Sequence, residues 1–234
     1  MTSSAASSER LGETGLRVDA ERNRERILAA ARRLYAREGL GVSMAAIARE
    51  AGVGKATLSR RFADPSELIS AVFADRMDAY AAAVTASLAD PDPWHGFTSY
   101  IWAVCAMQAA DRGFADVLTM AFPAARIMET RRAEAYESFL EVITRAKATG
   151  HLRDDFTSED LIVLLMANAG VINAAGDDAP DAWRRLVAHM LRSYAAPDAP
   201  LPPLPEAPTP AALHRAMIRL NRADPFDLDR KQPK

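Results

Sequence analysis

The chain has 234 residues, of which 49% are hydrophobic and 26% charged, with a formal net charge of −2; that is enough apolar material for a substantial core and excludes a wholly disordered polypeptide. Its single cysteine, Cys105, excludes an intramolecular disulfide and fits a reducing compartment. No basic-then-apolar leader opens the sequence, and the longest candidate for a membrane span, Leu161–Ala169, stops short of the ~20 residues required, so a cytoplasmic protein that makes no use of a membrane is expected.

The charge is divided unevenly. Residues 17–62 carry eleven Lys or Arg against five Asp or Glu, net +6, leaving 18 basic against 26 acidic residues elsewhere, net −8. A basic head on an acidic body is the distribution expected of a nucleic-acid-binding module joined to a second domain.

In chain order, residues 1–16 are rich in Ser, Thr, Gly and Glu and are expected to form a disordered arm. From Glu21 to Arg37, Ile27, Ala30, Ala31, Leu34 and Tyr35 fall on one helical stripe that ends at Gly39. Ser43 then precedes Met44, Ile47, Ala48 and Ala51, spaced as one face of a helix, and its hydroxyl suits the N-cap. Gly52 supplies the left-handed residue after that helix, and Val53 packs back onto it. A second short helix follows, with Leu58 and Phe62 inward and Lys55, Thr57, Ser59, Arg60 and Arg61 outward. This is a helix-turn-helix with a basic free face, and such a helix fits the DNA major groove. Asp64 caps and Pro65 opens the next helix, with Leu68, Val72 and Phe73 inward.

At this point the sequence resembles the N-terminal domain of the TetR family of transcriptional regulators. The resemblance covers roughly residues 20–75 and rests on Arg26–Gly39, Ser43–Ala48, Gly52–Leu58 and Arg60–Phe62. It implies contacts to double-stranded operator DNA from Arg26, Ser43, Lys55, Ala56, Thr57, Ser59, Arg60 and Arg61. Two positions depart from the family pattern: Ser59 stands where an aromatic residue is usual, and Pro65 where Lys or Arg is usual. Arg60 and Arg61 offer bidentate phosphate contacts in compensation.

Beyond Pro65 the pattern is helical throughout, with no convincing strand, so the expected fold is all-α with about nine helices. The expected division is a helix-turn-helix domain at 17–64, a helical ligand-binding and dimerisation domain at 65–196, and a proline-rich tail at 197–234. The body helices are expected at about 65–88, 93–110, 113–121, 123–149, 158–174 and 180–195. The eighth helix is apolar nearly all round, and the ninth carries a broad apolar stripe. Either they fill the monomer core or they pair with the same helices of a second copy. The resemblance implies the homodimer, which would bury Leu165, Ile172, Trp183, Val187, Met190 and Tyr194 against the partner. In the tail, residues 210–222 can form one short amphipathic helix bearing Leu213, Met217, Ile218 and Leu220.

The resemblance further implies a small-molecule effector held within the body. Between the fifth, seventh and eighth helices the candidate lining is Trp102, Cys105, Gln108, Met120, Met128, Tyr136 and Asn168, in which Met and aromatic side chains suit an adaptable apolar site. Cys105 is read as a small core hydrophobe in preference to an oxidant sensor. No phosphate loop, HExxH, CxxC or Gly-x-Ser-x-Gly occurs, and His95, His151, His189 and His214 lie far apart, so neither an enzyme nor a metal or other cofactor is expected. The expected function is a ligand-responsive repressor released from a palindromic operator. The alternative is a DNA-binding regulator without a small-molecule ligand, controlled by a protein partner through its tail.

Overall fold

The computed structural model describes residues 3–122 and 124–222, with side chains over 19–122 and 124–220. The described residues form ten α-helices and one 3-10 turn, with no strand beyond the isolated bridge Leu152–Ala195. The helices are α1 (Ser3–Glu38), α2 (Met44–Ala51), α3 (Lys55–Arg61), α4 (Pro65–Ala89), α5 (Pro93–Ala110), α6 (Arg112–Thr119), α7 (Arg126–Ala148), α8 (Ser158–Ala175), α9 (Ala182–Tyr194) and α10 (Pro210–Arg222). Pro123, expected to open α7, lies outside the described residues.

The turns follow the residues that encode them. Ser43 accepts the Ala46 N–H at 3.2 Å, and Gly52, at φ +62°, ends α2 while the Val53 N–H reaches the Ala48 carbonyl at 3.0 Å. Asp64 accepts the Ser66 N–H at 2.6 Å ahead of Pro65, and Asp92 accepts from Trp94 and His95 ahead of α5. Thr157 and Asp160 close a capping box on α8.

Two expectations change. Helix α1 begins at Ser3, so the segment expected to be a disordered arm continues the helix. It holds no proline, and once the part of α1 packed on the core is formed, each added helical residue costs little. Helix α8 is long and apolar enough to span a membrane by length and composition alone, which the shorter run read from the sequence understated. In the fold it packs on α5, α6 and α9, with Leu161, Leu164, Leu165 and Asn168 turned inward. The short helix expected at 210–222 in the tail forms as α10 and packs on α8.

One hydrophobic core runs from Ile27 in α1 to Tyr194 in α9, so head and body share an interior. They meet where Tyr35 of α1, Phe73 of α4 and Phe114 of α6 stack, with centroids 6.0 Å apart at each step. Gly113 permits this approach. A Cβ there would lie 2.8 Å from the Phe73 ring and 3.0 Å from the Tyr35 carbonyl oxygen, which has no room to yield. Gly113→Ala should therefore lower stability by about 1–3 kcal/mol through overpacking, more than the ~1 kcal/mol gained in helix propensity. A lower urea midpoint at unchanged m-value is the expected result, and an unchanged or higher midpoint would contradict this packing.

Candidate nucleic-acid interface and effector cleft

Helices α2 and α3 hang on α1. Ile47, Ala48 and Ala51 of α2 and Leu58 of α3 are buried in the shared core, and Arg26 of α1 donates to the Gly52 carbonyl at 3.0 Å, fixing the turn between α2 and α3. Arg33 binds Glu50 through two hydrogen bonds of 3.1 and 3.2 Å. With Leu58 inward, Lys55, Ala56, Ser59 and Arg60 are exposed on the outer side of α3 and Thr57 is half-buried at its edge. Arg61 is exposed but lies 3.4 Å from Glu21 of α1. Ser43 is exposed at the start of α2; its oxygen caps the helix, and its own O–H is left to donate outward. Among the described residues Lys55 and Arg60 have no ion-pair partner. The outer face of α3 thus presents a cation at each end with short polar side chains between them, a shape and charge suited to a phosphate-lined groove.

The residues expected to line a cavity between α5, α7 and α8 do not do so together. Gln108 and Asn168 are fully buried and bind each other: Asn168 Nδ2 donates to Gln108 Oε1 at 2.8 Å and to the Cys105 carbonyl at 3.2 Å, while Gln108 Nε2 donates to the Leu165 carbonyl at 3.2 Å. The pair clamps α5 to α8; only Asn168 Oδ1 is left without a partner among the described residues. Trp102 packs edge-on against Trp183, with centroids 6.0 Å apart. Met120 is 49% exposed at the end of α6, and Tyr136 bonds Ser158 Oγ at 3.0 Å near the surface. Cys105 is fully buried, and burial pushes its thiol up to about 12. The two amides are spent on each other and on backbone carbonyls, with Asn168 Oδ1 the one acceptor of the pair left over.

Of that set, only Met128 borders a substantial cavity. A cleft of about 580 Å³ separates α4 from the start of α7. Its walls are Ala71, Ala74, Met77, Ala124, Ala125, Ile127 and Met128, with Ser70, Glu67, Arg126 and Arg131 as its polar groups. Arg131 also pairs with Asp78 at 2.7 Å. Spacing could not reveal this site, because α4 and α7 each read as simple core-facing helices. Asp116 was missed in the same way: its carboxylate accepts the Leu40 N–H at 2.8 Å, joining α6 to the loop between α1 and α2.

The partner-facing residues also need correction. Leu165, Trp183, Val187 and Tyr194 are at most 8% exposed within one chain and belong to its core. Ile172 and Met190 are half-buried. The exposed apolar side chains of α8 are Ile162, Val163 and Met166, at 45%, 60% and 55%. A helix apolar all round has no readable phase, so sequence alone left its inner and outer faces indistinguishable.

A family model of bacterial regulatory proteins of the tetR family matches residues 27–72, and a model of the C-terminal domain of SbtR-like transcriptional regulators matches residues 92–192. An HTH-type transcriptional regulator of Staphylococcus aureus strain USA300 is 41% identical over 66 residues, which is 28% of this chain and 36% of that protein. The chain thus aligns with about a third of the length of that curated relative. Among solved structures, a tetR-family regulatory protein from Rhodococcus RHA1 superposes with a TM-score of 0.52 at 19% identity, covering 75% of this chain and 98% of that one. NalD, the secondary repressor of the MexAB-OprM multidrug efflux pump in Pseudomonas aeruginosa, superposes at 0.51 with 21% identity, covering 77% and 98%. Both structural likenesses concern the fold.

The buried amide clamp has a direct consequence. Asn168→Leu strands Gln108 Oε1 without a donor and should cost about 1–3 kcal/mol. Denaturant unfolding should register that loss, and a neutral substitution would show that the clamp contributes nothing. Cys105 should stay unmodified by a thiol reagent in the native protein, since the thiolate is the reactive form and burial suppresses it. Labelling faster than global unfolding would contradict its assignment as a core residue.

Proposed function

Because the chain belongs to the TetR family of transcriptional regulators, DNA-binding proteins and not enzymes, we propose that it is a ligand-responsive repressor. In this reading it binds a palindromic operator as a homodimer in the cytoplasm and leaves it when a small molecule fills the cleft between α4 and α7. The observation that carries the reading is the outer face of α3, with Lys55 and Arg60 exposed on a helix-turn-helix fixed to α1. Lys55, Arg60 and Arg61 take phosphates, Thr57 and Ser59 meet base edges, Ala56 allows close approach, and Ser43 and Arg26 flank them.

The dimer would form through α8 and α9, using Ile162, Val163, Met166, Ile172 and Met190. Two-fold readers meet two half-sites about one helical turn apart, which a monomer cannot do. The cleft supports the effector role by its volume, within the 300–1,000 Å³ typical of small-molecule sites, and by its apolar walls. Its α4 wall, residues 67–77, begins five residues after Phe62, the residue that ends α3. A ligand that wedges α4 from α7 therefore acts on the element that carries the reading helix. It can release DNA only by binding the DNA-incompetent arrangement more tightly, with a typical coupling of about 1–3 kcal/mol, or roughly 5- to 150-fold in operator affinity. The tail lies along its own α9, with Trp94 Nε1 donating to the Pro200 carbonyl at 3.0 Å and Arg192 to that of Pro202 at 2.7 Å. That arrangement weighs against a free arm awaiting a protein partner.

Selection from a random duplex library at low salt should yield a palindromic site. On that site Lys55→Ala should weaken binding evenly across sequences and reduce the log–log salt slope by about 1, as loss of one phosphate contact does. Thr57→Ala should instead change sequence preference. A wild-type protein that enriches no sequence would contradict the proposal. For the effector, Ala74→Trp should fill the cleft and abolish the response to any compound that releases the wild type; a response that survives would exclude this cleft as the site.

A further inference from the structure

We infer that the effector of the cleft between α4 and α7 is an apolar organic acid, whose carboxylate passes between Met77 and Met128 and binds the Tyr100 hydroxyl and the Arg132 Nε–H. This rests on the effector reading of that cleft given above. Helices α4 and α7 run side by side in the same direction: Arg131 pairs with Asp78 at 2.7 Å, and further along both helices Arg145 donates to the Leu88 carbonyl. Met77 and Met128 are the two large buried side chains of the cleft wall. Residues three or four apart on a helix are neighbours, so Tyr80 and Arg132 stand one turn beyond the methionines on the same pair of faces. Tyr100 of α5 joins them. Its ring lies 6.3 Å from that of Tyr80 and 4.9 Å from that of Phe139, two turns beyond Arg132 on α7.

Among the described residues, Tyr100 Oη and Arg132 Nε are buried without a hydrogen-bond partner, and Tyr100 as a whole is 1% exposed. Arg132 is held firmly all the same. Its terminal nitrogens donate to the Met120 carbonyl at 2.8 Å and to the Val117 carbonyl, which fixes the guanidinium while Nε–H goes unused. Burial holds the Tyr100 hydroxyl well above the usual phenol range, so it stays protonated. Burial also raises Tyr80, with the adjacent Tyr100 hydroxyl and Arg132 guanidinium acting the other way. Leaving a buried donor unsatisfied is costly, and native folds rarely do so. Both atoms offer a proton, so the group that completes them is an acceptor. An anion suits them best, because the carboxylate beside Arg132, that of Glu129 at 3.7 Å, already takes the Phe122 N–H at 2.8 Å. The mouth of the cleft has the same polarity. Among the described residues Arg126 has no ion-pair partner there, and α7 begins behind Ala125, which gives its positive end no side-chain cap. Glu67, the carboxylate of the lining, accepts the Ala63 N–H at 3.1 Å. Met77 and Met128 are unbranched and flexible, which lets a head group pass while the apolar body stays among Ala71, Ala74 and Ile127.

Thermal shift and titration calorimetry on the full-length chain test this with benzoate, naphthoate, phenylbutyrate and decanoate, each beside its primary amide and its amine. At least one carboxylate should stabilise the protein. Its amide should bind at least about tenfold more weakly, as loss of a charged hydrogen-bond partner implies, and its amine not at all. Tyr100→Phe removes only the unused hydroxyl. Without ligand it should melt no lower than wild type, yet it should bind that carboxylate at least about tenfold more weakly. The Arg132 Nε–H proton resonance should move downfield when the carboxylate is added. Amides or amines that bind as tightly, or a panel in which nothing binds, overturn the acid. A Tyr100→Phe protein that melts lower would show that the hydroxyl already has a partner, and one that binds like wild type would show that water satisfies it; either overturns the inner site. Ala74→Trp keeps this inference apart from the cleft reading. If it abolishes carboxylate binding, the cleft stands whatever Tyr100→Phe does; if binding survives it, the carboxylate sits elsewhere and both fail.

Discussion

The structure depends on the aromatic contact at which α1, α4 and α6 converge. Tyr35, Phe73 and Phe114 form a continuous stack, and Gly113 removes the one side chain that would hold it apart. A fully buried aromatic ring contributes about 1.5–3 kcal/mol, so three of them make this junction a principal source of the fold's stability. Asp116 adds a directional tie from α6 to the Leu40 N–H. Helix α1 cannot leave α4 without opening the core that also stabilises the body. The helix-turn-helix is therefore an extension of the body's packing.

Helix α8 shows a second constraint. Its inner side is committed to α5 by the Gln108–Asn168 clamp, one amide–amide hydrogen bond flanked by bonds to the Cys105 and Leu165 carbonyls. A half-made network at this depth would be costly, and the clamp fixes the rotation of α8. That rotation decides which apolar side chains point out: Ile162, Val163 and Met166 do, and Leu161, Leu164 and Leu165 do not. The tail then closes the exposed end of α8 with Arg219, which donates to the Ala174 carbonyl.

The head was legible in the sequence because its signals are local. A Ser cap, a left-handed glycine and a three-four spacing each act within one turn of helix, and the structure places Ser43, Gly52 and Leu58 where those signals put them. The all-helical body was legible for the same reason, through Asp64-Pro65, Asp92-Pro93 and Thr157. What the sequence withheld depends on pairing between distant elements. Gln108 and Asn168 were read as the lining of a pocket, because nothing within either helix says that they partner each other. Leu165, Trp183 and Val187 looked available to a second chain because an all-round apolar helix and a broad stripe do not disclose which side the monomer uses first. The cleft arises from a gap between α4 and α7, and a gap has no sequence pattern.

Head and body fold as one unit through the Tyr35–Phe73–Phe114 junction. Native-state hydrogen exchange across a denaturant series tests it most directly. Amides of α1 from Ala30 to Tyr35 and of α5 from Ile101 to Cys105 should converge on a single isotherm with the same opening free energy and m-value. If α1 instead opened by a separate transition of lower free energy while α5 stayed protected, the head would be an independent domain and the aromatic junction would not unite it with the body.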